Sequence, residues 1–181
     1  MRKLETLGER EREVVEERRR SGYRVDRLSR FGDELEPQLR ALVERLLPGV
    51  DAGIDLAAFV DTHAENPIGR GDRAPGVPSL PDLLRVGLEV LARRRFAELP
   101  EDEQETLVRR MRRGEADDEL QLPAKAFVDR LLVTALAGYL AHPATWERIG
   151  FQGPAYPEGY AWISHSAVAR RHEGFPGSDR L

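Results

Sequence analysis

The chain has 181 residues, 40% of them apolar and 33% charged, with a formal net charge of −4 and no cysteine. That length holds one domain with a real core, or one domain plus a terminal arm. An acidic balance argues against nucleic acid as the main partner, because phosphate binding wants a basic face. The lack of cysteine excludes disulfides, thiolate nucleophiles, cysteine-ligated clusters and covalent haem.

The charged start, Met1 to Arg10, leads into no apolar segment and does not read as a signal peptide. No apolar run elsewhere reaches the roughly 18 residues of a membrane span. A cytoplasmic protein is expected. Residues 2–20 are nearly all charged, with Leu4, Leu7, Val14 and Val15 as a thin apolar stripe. Glu and Arg recur at i,i+4 spacings, so a solvated helix is expected, either frayed or docked on something. Residues 1–31 are read as this charged arm, and 32–181 as the domain proper.

From Asp33 the pattern changes. Leu35, Leu39, Leu42, Val43, Leu46 and Leu47 share one face of a helix, which Pro48-Gly49 stops. A short helix over 54–64 carries Leu56, Phe59 and Val60. A long Gly- and Pro-rich loop follows over 65–80, a length that tends to be functional or disordered. Ser79 or Pro81 opens the next helix, where Leu83, Leu84, Val86, Leu88, Val90 and Leu91 read as core on more than one face and Gly87 permits a close neighbour. Pro100 and the acids behind it start another helix, with Leu107, Val108 and Met111 on its buried side. Pro123 begins the most apolar stretch, Phe127 to Leu140, expected as the central helix; His142-Pro143 ends it. Residues 150–163 hold three Gly, two Pro and four aromatics, which excludes a regular helix there. A short helix is possible around 161–171. The expected fold is all-α, a single helical bundle with an aromatic Gly/Pro-rich C-terminal loop.

Catalytic constellations are weak. His63, His142, His165 and His172 show no metal-ligand spacing, although His165 and His172, seven apart, can share a helix face. His142 and His63 sit late in helices, where a cation favours the dipole, so structural roles are expected. The Gly-rich loop over 69–76 lacks a phosphate-binding pattern. The arginine clusters at 93–95 and 109–113 read as salt-bridged surface. Trp146, Phe151, Tyr156, Tyr160 and Trp162 are the most informative residues. Aromatics on a stiff Gly/Pro frame make low-entropy contact surface of the kind found at interface centres. The other reading has them fold back to plug the open end of the bundle.

The order of elements carries a resemblance. Leu-Arg-Ala-Leu-Val-Glu-Arg-Leu-Leu-Pro-Gly (39–49), Ile-Asp-Leu-Ala-Ala-Phe-Val-Asp (54–61) and Phe-Ala-Glu-Leu-Pro-Glu-Asp-Glu-Gln (96–104) precede a long apolar helix ending in Tyr-Leu-Ala-His-Pro (139–143). Then comes Ile-Gly-Phe-Gln-Gly-Pro-Ala-Tyr-Pro-Glu-Gly-Tyr (149–160), which with the helix before it is the specific part. Over roughly residues 35–163 this resembles the gluconate 2-dehydrogenase subunit 3 family. The resemblance implies a small helical accessory subunit, without catalytic or metal residues of its own. Its partner would be a large flavoprotein of the glucose–methanol–choline type, which holds the FAD, and the small chain would support maturation, stability or export. Secreted relatives carry a twin-arginine leader; here Arg18-Arg19-Arg20 has no apolar segment behind it, so export is not expected. Two rival readings remain: a free-standing enzyme or metal-binding protein using the region of His165 and His172, and a homo-oligomeric scaffold.

Overall fold

The computed structural model describes residues 9–51, 53–64 and 77–151. Among them the chain forms α1 (Glu9–Ser21), α2 (Gly32–Leu46), α3 (Leu56–His63), α4 (Leu80–Arg93), α5 (Glu101–Arg113), α6 (Asp117–Leu120), α7 (Ala124–Ala141) and α8 (Pro143–Ile149). A single 3-10 turn, Phe96–Glu98, lies between α4 and α5, and no strand occurs among the described residues. The all-α single domain expected from periodicity is what forms. No described helix is long and apolar enough to cross a membrane.

Three elements escape the sequence reading. The 3-10 turn and α6 are one turn each, too short for a 3.6-residue pattern to show. The third, α8, begins at the proline that ends α7. His142 takes the extended backbone that a residue before proline prefers (ψ 133°), and Pro143 then occupies the first helical turn, where its missing N–H costs nothing. One dipeptide both stops a helix and starts the next.

Helix α7 is the hub, packing against α2, α3, α4, α5, α6 and α8. Two glycines let neighbours reach its axis. Gly87 of α4 faces the Phe127 ring so closely that a Cβ would lie 2.4 Å from it, and a Cβ on Gly138 would lie 2.5 Å from the Phe59 ring. The close neighbour expected at Gly87 is thus Phe127, itself fully buried. On α4, Val86 departs from expectation: it is exposed, while Leu83, Leu84, Leu88, Val90 and Leu91 are buried. On α5, Val108 and Met111 are buried as expected, joined by Gln104, whose amide donates to the Leu99 carbonyl at 3.0 Å.

Asp61, at the end of α3, joins the two halves of this core. The residue is 2% exposed. One carboxylate oxygen accepts from the Ser29 N–H (2.8 Å) and hydroxyl (3.0 Å), the other from the N–H groups of Arg30 (2.9 Å) and Phe31 (3.0 Å). These are the amides at the entrance to α2, and Phe31 itself provides no side-chain cap. The buried charge is satisfied by four donors, so it costs little and fixes where α2 starts. Replacing Asp61 with Ala leaves three N–H groups without their acceptor and is expected to cost about 3 kcal/mol, at the upper end for a lost buried partner. Urea unfolding measures this, and Asn, which keeps one acceptor oxygen, should recover part of it.

Candidate functional site

The structure brings two of the five singled-out aromatics together. Tyr156, Tyr160 and Trp162 lie outside the described residues, as do His165, His172, the Gly-rich loop over 69–76 and the expected helix over 161–171. Trp146 and Phe151 meet edge to face, with ring centroids 5.8 Å apart. The indole N–H of Trp146 donates to the Leu140 carbonyl at 2.7 Å, satisfying one of the unpaired carbonyls at the end of α7. Gly150, in the left-handed region at φ 69°, turns the chain so that the Phe151 N–H reaches the Trp146 carbonyl at 2.9 Å. Phe151 and Ile149 remain exposed, at 46% and 55%.

This pair continues an apolar stripe that the sequence reading missed. Val133, Leu136 and Leu140 of α7 are exposed, at offsets of three and four along one face. Helix α7 is central as expected, but it is not buried all round: one side is core, through Phe127, Val128, Leu131 and Ala135, while Val133, Leu136 and Leu140 are exposed. A uniformly apolar run hides this, because periodicity cannot tell two apolar faces apart. A signal was present in the first turns. Lys125 and Asp129 pair across one turn and mark the solvent side, and Val133, Leu136 and Leu140 follow in the same row. From Leu131 to Ala141 no residue is charged. Exposed apolar side chains that share one helix face are candidates for an interaction site.

The arm is docked. The Arg18 guanidinium donates to the Ala141 carbonyl at 3.0 Å, and Arg19 pairs with Glu147 of α8 at 2.5 Å. The Tyr23 hydroxyl donates to the Gly138 carbonyl at 3.0 Å, and its ring rests 4.9 Å from Phe59, which stacks on His63 at 3.9 Å. This end of the bundle is thus filled by Tyr23 and Phe59. His63 is structural as expected, with Nδ1 on the Phe59 carbonyl of the preceding turn at 2.9 Å. His142 is structural too, but not as a cation. Burial pushes its pKa below the ordinary value, helped by the charges of Arg18 and Arg19, while its bond to the Arg18 carbonyl and the Asp51 charge act the other way.

The arginine clusters are tied into surface pairs as expected: Arg94 and Arg110 both reach Glu119, Arg95 reaches Glu98 and Arg109 reaches Glu105. Those pairs hold Glu119 and Glu98 below the ordinary carboxylate range, chiefly through hydrogen bonds from Arg110 and Arg95. A groove of about 490 Å³ lies between α2 and the segment entering α3, but its Arg40 is engaged by Glu36 and Asp55. Among the described residues no three His, Asp or Glu side chains gather closely enough to hold a metal ion.

Comparison with known proteins agrees with the order of elements. The family model described as Gluconate 2-dehydrogenase subunit 3 matches residues 34–153, well over half of the chain, and the chain belongs to that family. Comparison with curated proteins and with solved structures gives no match. The matched residues include the whole α7–α8 face and exclude α1.

A bare stripe contributes little to the fold. Val133→Ser and Leu140→Ser are each expected to change the unfolding free energy of the isolated chain by less than about 0.5 kcal/mol, as at ordinary surface positions. Leu131→Ala, on the buried side of the same helix, should cost about 2–5 kcal/mol. Denaturant unfolding of the three variants checks this; a loss at Val133 matching that at Leu131 would mean the face is covered in the free chain.

Proposed function

We propose that this chain is the non-catalytic small subunit of a FAD-dependent oxidoreductase of the glucose–methanol–choline type, and that it grips the large subunit with the α7–α8 face. The observation that carries the reading is the uncharged stripe Val133, Leu136 and Leu140 running into the Trp146–Phe151 pair. In a family whose members are described as a dehydrogenase subunit, such a face asks for a protein partner. Aromatic and aliphatic side chains with few charges make up the centre of stable interfaces. In this proposal Tyr156, Tyr160 and Trp162 extend the same contact, since they follow Phe151 directly in the chain.

The division of labour follows. FAD and the catalytic residues belong to the large chain, and this chain contributes surface. By binding only the folded large subunit it stabilises that form by mass action, which raises its soluble, cofactor-loaded yield in the cytoplasm, where both chains would assemble.

Co-expression with the large subunit tests the proposal. The wild-type chain is expected to co-purify with it and to raise its FAD-loaded yield. Trp146→Ala should weaken the complex by about 2 kcal/mol or more, roughly thirtyfold in Kd. Leu136→Glu, a charge placed in the middle of the stripe, should abolish co-purification while the free chain stays folded. Equal yield, flavin content and melting temperature of the large subunit without this chain would remove the maturation role. A self-associating free chain whose oligomer is broken by Leu136→Glu would instead assign the face to a second copy.

A further inference from the structure

The seam between α1 and α8 is held by few apolar contacts and several directional ones. Val15 is the buried apolar side chain of α1, and Val14 beside it is exposed. The rest of the seat is polar, and His142 stands in the middle of it, 2% exposed, with both ring nitrogens committed. Nδ1 faces the Ala144 N–H at 3.2 Å and must accept, because the amide can only donate; in doing so it caps the first turn of α8. Nε2 faces the Arg18 carbonyl at 3.1 Å and must donate, because the carbonyl can only accept. The two neighbours therefore fix one neutral tautomer.

A second proton has one place to go, Nδ1, and there it would point at an N–H. It would also add a charge beside those already present. From α1, Arg18 holds the Ala141 carbonyl and Arg19 holds Glu147. From the turn after α1, the Tyr23 ring lies edge-on at 5.4 Å, and from the loop before α3 comes Asp51. With Glu147 engaged by Arg19, Asp51 is the acid that acts on the ring against the charges of Arg18 and Arg19.

We propose that His142 is a proton-operated latch: protonation at Nδ1 uncaps α8, and the charge it adds beside Arg18 and Arg19 loosens the seat of α1 at the same time. It does so against the Nε2–H bond to the Arg18 carbonyl, which is kept. The latch does not depend on the identity of the partner. It joins the arm to the helix that carries Trp146, so the docking face and the N-terminal arm respond to the same proton. The sign follows from burial, which favours the neutral ring in the seated state. The seat is at full strength above about pH 6.5, the ordinary histidine value, and weakens as pH falls below it.

Amide hydrogen exchange on the full chain between pH 7.5 and 5, corrected for intrinsic exchange, provides the test. Exchange through opening in residues 9–21 and 143–149 is expected to rise together, approaching tenfold per pH unit below about 6.5, while residues 127–135 of α7 keep their protection. His142→Asn keeps an acceptor for the Ala144 N–H and takes up no proton, so its exchange in both segments should be independent of pH. In the wild-type chain the His142 ring should titrate below the ordinary histidine value, and the rise in exchange should level off where the ring titrates. Flat exchange in the wild type, an undiminished slope in the Asn variant, or a ring titration at or above the ordinary histidine value would each overturn the latch.

Discussion

The carboxylate of Asp61 holds the fold in register. The entrance to α2 has no side-chain cap of its own, and the three amides before it, that of Phe31 buried, find their acceptor in Asp61. Asp61 draws them to one point, which sets the distance between α2 and α3. That placement seats Phe59, two residues earlier, against Gly138 of α7 and beneath Tyr23. A short helix of eight residues would not hold such a position by itself, since isolated helices of that length are marginal. The buried charge and its four donors supply the constraint that propensity does not.

Once α3 and α4 are locked onto α7 through Gly138 and Gly87, one side of α7 is used up and the other is bare. Core and proposed docking face are thus two sides of one helix. The face inherits the rigidity of the core behind it, and rigid apolar surface loses little side-chain entropy when a partner covers it. Trp146 adds to this by bonding the last turn of α7, so the rings at the end of the stripe are held as firmly as the stripe itself. In the proposed complex the contact face would be pre-organised, because the same helix that exposes it is the centre of the domain.

Much of this was legible in the residues. The one-face pattern of α2 and the capping signal at Ser79, whose hydroxyl accepts from the Asp82 N–H, placed those helices to within a residue or two. Gly87 announced a close approach, and the salt-bridged arginines behaved as their acidic neighbours suggested. Other features were not legible, each for a physical reason. The turn of α6 is shorter than the period that would reveal it. The role of Asp61 depends on a contact 30 residues away along the chain. The helix-end position of His142 reads as a place for a cation, yet burial favours the neutral ring, and no local pattern encodes burial. The bare side of α7 was hidden by its own composition, with Lys125 and Asp129 as the only pointer to it.

The central claim is that the uncharged face of α7, and not the arginine-rich surface of α5, meets the large subunit. A photo-crosslinking residue substituted for Leu136, compared with one substituted for Arg109, tests it most directly in the co-expressed complex. The account predicts an efficient crosslink from position 136 to the large chain and none from position 109. A crosslink from position 109 with position 136 silent would contradict it.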